Sequence, residues 1–249
     1  MRPIPSLDVA VERCGVCPIR GRAVCMYCDA PTLSRLERLK SYRTYAPGEE
    51  ICAAGEPLSH LGSVVEGVVA LSKTMADGRR QLVGLMFASD FVGRPMRASA
   101  PYDAVAVTPV RLCRFDRRRF ETLLVETPAL ERRLLEMTLD ELDAARDWML
   151  LLGRKAAREK IATFLAILAR RAANDRGLAA DDGVSFTLPI SREAIGEYLG
   201  LTIETVSRQF TALRKAGVIA LEDNRRVRVP DFLALLDAAG EDADGGPID

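Results

Sequence analysis

Residues 191–221 read SREAIGEYLGLTIETVSRQFTALRKAGVIAL. Ser191 can cap a short helix that reaches Tyr198, and Gly200 breaks it. Thr202 caps a second helix, with Thr205 in its first turn and Gly217 at its end. Two short helices joined by a glycine-containing turn make a helix-turn-helix pattern. In the second helix Glu204, Ser207 and Arg208 stand at i, i+3 and i+4, so they share one face near its N-terminus. Val206, Phe210 and Leu213 fall on the opposite face, where they pack the helix onto its own domain. Beyond it, Val218–Leu221 and Arg226–Val229, joined through Asp223 and Asn224, read as a β-wing.

The charge around this stretch gives it a partner class. Over 249 residues, 35 Lys and Arg balance 35 Asp and Glu, which argues against an indiscriminate polyanion binder. The balance is local, however: residues 153–230 hold 14 bases against 9 acids, a net of +5, while 231–249 hold six acids and no base. A basic segment beside an acidic tail points to nucleic acid. A helix N-terminus in the major groove presents side chains to base edges, with Arg suited to guanine and Glu to the cytosine amino group. Thr202, Thr205, Arg192 and the wing residues Arg225, Arg226 and Arg228 suit phosphates. The bland alternative is an exposed Glu204–Arg208 ion pair of the kind common on any helix.

Upstream, residues 41–116 read as short β-rich runs punctuated by glycines, among them Ser63–Val69, Ala70–Thr74, Leu82–Phe87 and Ala104–Phe115. Asp77-Gly78 is a hairpin signal, and the spacing predicts a small barrel or roll. Pro128 opens a long helix to about Gly153, in which Leu135, Thr138, Leu142, Ala145, Met149 and Leu152 repeat at alternating steps of three and four. That is a heptad seam suited to pairing with a second copy, against the plainer reading of packing on its own core. Helix follows over Arg158–Arg171, then a loop over Asn174–Gly183 and a strand over Val184–Leu188. The predicted fold class is α+β. The predicted segments are a cysteine-rich leader at 1–30, a β-roll at 31–127, a dimerisation helix at 128–153, a winged helix-turn-helix at 154–240 and an acidic tail at 241–249.

No run of apolar residues is long enough to span a membrane, and MRPIPSLDVAVERCG lacks a signal-peptide core, so a cytoplasmic protein with reduced thiols is expected. Six cysteines, at 14, 17, 25, 28, 52 and 113, then favour metal or redox chemistry over disulfides. One histidine, His60, excludes sites needing several imidazoles, and no phosphate loop, nucleophile elbow or HExxH helix occurs. The spacing Cys14-x2-Cys17-x7-Cys25-x2-Cys28 fits either a four-thiolate zinc site or an iron–sulfur cluster drawing a ligand from elsewhere in the fold. A thiol redox enzyme built on Cys14-x2-Cys17 is disfavoured, because Pro18 follows and no βαβ pattern surrounds it. Cys52 reads as a small apolar side chain in a strand.

From the β-rich segment through the heptad helix to the quoted stretch, the chain resembles the Crp/Fnr superfamily of bacterial transcription regulators. Glu204-x-x-Ser207-Arg208 resembles the recognition helix of its Fnr branch. The resemblance implies a cyclic-nucleotide-binding-like jelly roll, a dimerising helix and a homodimer reading double-stranded DNA at a TTGAT–N4–ATCAA palindrome. Glu204, Ser207 and Arg208 would make the base contacts. It also implies an oxygen-labile [4Fe–4S] cluster held by Cys14, Cys17 and Cys113, with Cys25 rather than Cys28 as the third leader ligand because the seven-residue spacer matches the α-proteobacterial form. Contact with RNA polymerase is implied too. Cyclic-nucleotide binding is not expected: where Crp-type rolls that hold cyclic AMP carry a Gly-Glu acid and an Arg-Ser/Thr pair, this chain has Asp90-Phe91-Val92-Gly93-Arg94 and Tyr102-Asp103-Ala104. Asp103 would repel a phosphate there.

Overall fold

The structure, a computed structural model, describes residues 13–176 and 183–240. The expected acidic tail 241–249, positions 1–12 of the leader and positions 177–182 of the expected loop lie outside the described residues. Contacts divide the chain into two compact units, Met1–Lys73 with Val83–Leu139, and Thr74–Leu82 with Asp140–Asp249.

In the first unit the leader is a single 3-10 turn at Cys14–Val16 followed by irregular turns, and then a helix that the sequence reading overlooked, α1 (Ala30–Leu39). Its signals are local: Asp29 accepts from Thr32 N at 2.9 Å, Pro31 sits in the first turn, and Leu33 and Leu36 are buried one turn apart. Eight strands follow: β1 (Lys40–Tyr45), β2 (Glu50–Cys52), β3 (His60–Glu66), β4 (Val69–Thr74), β5 (Arg80–Met86), β6 (Phe91–Val92), β7 (Asp103–Ala106) and β8 (Val110–Asp116). They make two four-stranded sheets, ordered β1-β8-β3-β6 and β2-β7-β4-β5. Two runs read as continuous strands are broken. Gly67 turns the chain between β3 and β4 at φ +89°, where a Cβ would lie 2.1 Å from Pro109 O. Pro109 interrupts the second run between β7 and β8, since it has no N–H for a ladder.

One core lies between the sheets, around Val64, Val69, Leu71, Ala104 and Leu112. A second lies outside the first sheet, where the leader, α1 and α2 (Arg117–Glu126) cover Leu61, Phe91, Cys113 and Phe115. Phe120 of α2 is fully buried there, its ring 5.4 Å from Phe91 and 5.2 Å from Phe115. Only Thr127 separates α2 from the long helix α3 (Pro128–Arg154).

The second unit holds α4 (Ala157–Arg176), β9 (Val184–Thr187), α5 (Arg192–Leu199), α6 (Ile203–Lys215), β10 (Ala220–Leu221), β11 (Arg226–Val229) and α7 (Phe232–Ala239). The strands form one sheet ordered β10-β11-β9. Helix α4 runs further than expected, and α7 was not anticipated. Asp231 caps it, accepting from Leu233 N and Ala234 N, so an acid assigned to the tail starts a helix whose Leu235 and Leu236 are buried. The architecture is thus α+β, a β-roll, a long helix and a winged helix-turn-helix, as the sequence predicts.

Candidate functional site

The turn between α5 and α6 is fixed by its own backbone. Gly200 ends α5 in the left-handed region at φ +64°, and Leu201 N donates to Gly196 O at 2.9 Å. A Cβ on Gly196 would stand 2.6 Å from Leu201 O, so only glycine allows this approach. Thr202 then caps α6, its hydroxyl accepting from Thr205 N at 3.3 Å and lying 3.1 Å from the Thr205 hydroxyl. Val206, Phe210 and Leu213 are buried, which turns Glu204, Ser207 and Arg208 outward together.

Arg208 Nη2 donates to Thr205 Oγ1 at 3.2 Å, and no ion pair joins it to Glu204 among the described residues. The commonplace i,i+4 pair is therefore not what occupies this face. Its own backbone N–H and the Thr202 hydroxyl hold the Glu204 carboxyl below its usual range, so it is an acceptor at neutral pH. Ser207, Arg208, Thr211, Ala212 and Lys215 line an open groove along the helix.

In the wing, Asp223 Oδ1 accepts from Arg225 N at 2.7 Å and Arg226 N at 2.6 Å, closing the turn that presents Arg226 and Arg228 to solvent. Arg226 pairs loosely with Glu222 at 3.5 Å, and Arg225 donates to Pro189 O at 3.3 Å. The Arg192 guanidinium lies 3.0 Å from the Phe210 ring centroid, and burial pulls its pKa down to about 10. The structure packs its half-buried side chain against α6.

On α3 the expected seam is solvent-facing in the single chain. Leu135, Thr138, Leu142, Ala145 and Met149 are exposed and Leu152 half-buried, while Leu130 and Leu151 on the other side are fully buried. Leu139 and Leu150, which a strict heptad passes over, widen the exposed apolar stripe. Beside the stripe, Asp143 is paired with Arg146 at 2.7 Å in the same helix.

All six cysteines are free thiols. Cys14, Cys28 and Cys113 are buried in the core outside the first sheet, and Cys17 and Cys25 pack against it. Burial pushes Cys113 up to about 12; Lys40 works against that, and Cys14, Cys17 and Cys25 add to it by charge repulsion. Cys28 is also pushed up to about 11 by burial, but the charges acting on it are Asp29, Arg20 and Cys14. Cys14, Cys17 and Cys25 thus act on the Cys113 charge, while Cys28 lies buried in the same core. Cys52 lies in β2, its sulfur 3.9 Å from Tyr102 O. Among the described residues no three His, Cys, Asp or Glu side chains converge into a ready-made coordination group.

The leader also reaches α3, which the sequence did not reveal. Arg133 Nη2 donates to Arg22 O at 2.8 Å, the Tyr27 ring lies 5.7 Å from Arg132 and 6.0 Å from Arg133, and the Tyr27 hydroxyl bonds to Glu136. Tyr27, the only aromatic in residues 1–30 of the sequence, was the one available signal.

Comparison with known proteins gives this geometry its family. Residues 159–238 match the Crp-like helix-turn-helix domain, and 42–127 match the cyclic nucleotide-binding domain. The chain is 54% identical over 246 residues to the transcriptional activator protein FnrL of Cereibacter sphaeroides, covering 99% of this chain and 98% of that protein. The chain belongs to the Crp/Fnr family. It is 39% identical to the nitrogen fixation regulation protein FixK of Bradyrhizobium diazoefficiens, over 92% of each chain. The solved structure of FixK2 from Bradyrhizobium japonicum superposes with a TM-score of 0.73 at 34% identity, over 82% of this chain and 98% of that one. This Crp/Fnr protein is a DNA-binding transcription regulator. Among the described residues no helix is long and apolar enough to cross a membrane.

Proposed function

We propose that this regulator is an oxygen-responsive, cytoplasmic transcriptional activator that holds a [4Fe–4S] cluster on Cys14, Cys17, Cys25 and Cys113. The observation that carries the reading is the company Cys113 keeps: a strand residue buried with the leader cysteines in an apolar layer outside the roll, where Cys14, Cys17 and Cys25 act on its charge. Four thiols in an apolar shell with one cation, Lys40, are a donor set suited to an iron–sulfur cluster. When bound, the cluster supplies an oxygen-labile tie between leader and roll.

The chain's own residues do the rest. The leader holds the start of α3 through Tyr27, Arg22, Arg132 and Arg133, and the exposed seam Leu135, Thr138, Leu142, Ala145, Met149 and Leu152 pairs with a second copy. Pairing sets two recognition helices about 34 Å apart, one DNA turn. Glu204, Ser207 and Arg208 then read a palindrome of the TTGAT–N4–ATCAA type. Thr202, Thr205 and Arg226 face phosphates, with Arg192 bracing α6 from behind. RNA polymerase is the further partner of an activator. Asp103, whose carboxylate already accepts from Ala54 N at 2.8 Å, places a negative charge where a cyclic nucleotide would bring its phosphate.

The test is the visible spectrum, iron and sulfide of anaerobically purified protein, followed into air together with sedimentation and DNA affinity. A brown protein that bleaches, dissociates and loses its site supports the reading. A colourless preparation with one zinc per chain and unchanged DNA affinity in air would refute it.

A further inference from the structure

The first sheet sets a cross-strand row facing the leader. Tyr42 of β1 pairs with Cys113 of β8, Cys113 with Ser63 of β3, and Ser63 with Phe91 of β6. Directly paired residues on antiparallel strands point to the same face, so Ser63 and Tyr42 flank the Cys113 sulfur. Ser63 is anomalous there. It is 2% exposed, it lies against Cys113 and Phe91 in an apolar layer, and its hydroxyl has no hydrogen-bond partner among the described residues. A buried hydroxyl without a partner is a net cost, and the fold gains nothing from it that Ala would not supply. A thiolate sulfur, by contrast, is an acceptor that needs donors. Lys40 stands on the other flank, its ammonium hydrogen-bonded to Cys14 and 3.3 Å from the Tyr42 hydroxyl.

We propose that Ser63 and Lys40 are the polar lining of the four-thiol site, Ser63 donating to the Cys113 sulfur and Lys40 to the Cys14 sulfur once these carry ligand charge. The inference rests on the cluster reading and adds two residues that touch its ligands. A hydrogen bond or cation at a ligand sulfur stabilises the more negative state and so raises the reduction potential. Removing either lowers the potential and makes the site easier to oxidise.

The experiment compares wild type with Ser63→Ala, Ser63→Thr, Lys40→Met and Lys40→Arg, all purified without air. Iron and sulfide are measured first, because a wild type lacking both overturns the cluster reading itself and this inference with it. In a loaded wild type, Ser63→Ala and Lys40→Met are expected to lower the midpoint potential and to speed loss of colour in air about tenfold. Ser63→Thr and Lys40→Arg, which keep the donor, stay near wild type. In chelator-stripped protein the sign reverses for Ser63→Ala, which melts at or above wild type because an unpartnered hydroxyl is gone. A packing role would lower the stripped melting temperature, and that result overturns the inference. So do unchanged potential and air-loss rate in Ser63→Ala, or failure of both Ser63 variants to load. Failure of Ser63→Ala alone to load, with Ser63→Thr loading and the stripped melt unchanged, supports it.

Discussion

Replacing Leu135 and Met149 together by Ala is expected to abolish self-association while leaving the single chain folded. Leu135 is 59% exposed and Met149 73% exposed, so neither contributes much to the core of its own chain. Fully burying an apolar side chain of this size is worth roughly 2 kcal/mol, so the exposed share is worth about 1 kcal/mol at each position once the Ala Cβ is discounted. A two-fold interface counts every residue twice. The double substitution therefore removes roughly 4 kcal/mol from the pair, about three orders of magnitude in Kd. Because the residues are solvent-facing before pairing, the melting curve of dilute, dissociated protein should shift by no more than about 0.5 kcal/mol. Leu151, 0% exposed on the other side of α3, is the control: Leu151→Ala should cost roughly 2–5 kcal/mol of fold stability. Sedimentation equilibrium on anaerobic protein, paired with thermal melts, separates the two. A double variant that self-associates within threefold of wild type would refute the assignment of this stripe to pairing.

Two further outcomes bear on the DNA-reading and metal-holding ends. Arg208→Ala should relax base preference and cost about 1–3 kcal/mol per half-site, whereas Arg226→Ala should weaken specific and random DNA alike; titrations against both DNAs tell them apart, and equal losses for Arg208→Ala would sink its role in base reading. Cys25→Ser purified without air should lose iron and sulfide while Cys28→Ser keeps them, and full occupancy in Cys25→Ser would transfer the ligand role away from Cys25.

The recognition helix was legible because its signals are local. Thr202 as cap, Gly200 as stop and the i, i+3, i+4 triplet each depend on neighbours a few residues away, and α6 forms where they say. Strand limits were harder, since Gly67 and Pro109 meet only when β3 and β8 are brought together, and nothing near either in sequence announces it. The same non-locality hid Ser63, an ordinary strand serine until its partner across the sheet is known to be Cys113. Arg192 shows the same non-locality. As an isolated cation near a DNA-reading helix it suits phosphate, but the aromatic that claims it, Phe210, sits eighteen positions on and faces inward. Leu139 and Leu150 were passed over by insisting on a strict heptad when the exposed stripe is wider than the seam.

The leader's hold on α3 sets how strongly the thiol site can govern pairing. Its parts are one backbone-directed hydrogen bond from Arg133, a Tyr27 ring against two guanidiniums, and the Tyr27 hydroxyl on Glu136. An exposed cation–π contact contributes about 0.5–1 kcal/mol and a hydrogen bond about 0.5–1.5 kcal/mol. Together they amount to roughly 2 kcal/mol, inside the range that links sites in regulated proteins and equivalent to about thirtyfold. Tyr27→Ala removes the larger part, so the ratio of dimer Kd in air to that without air should shrink by about tenfold while iron and sulfide stay at wild-type levels. Coupling of this kind is reciprocal. If leader order favours pairing, pairing must favour leader order, and raising the protein concentration above the dimer Kd should slow loss of colour in air. That concentration dependence should weaken by the same factor in Tyr27→Ala. If it is undiminished there, the link between the thiol site and α3 runs through other residues.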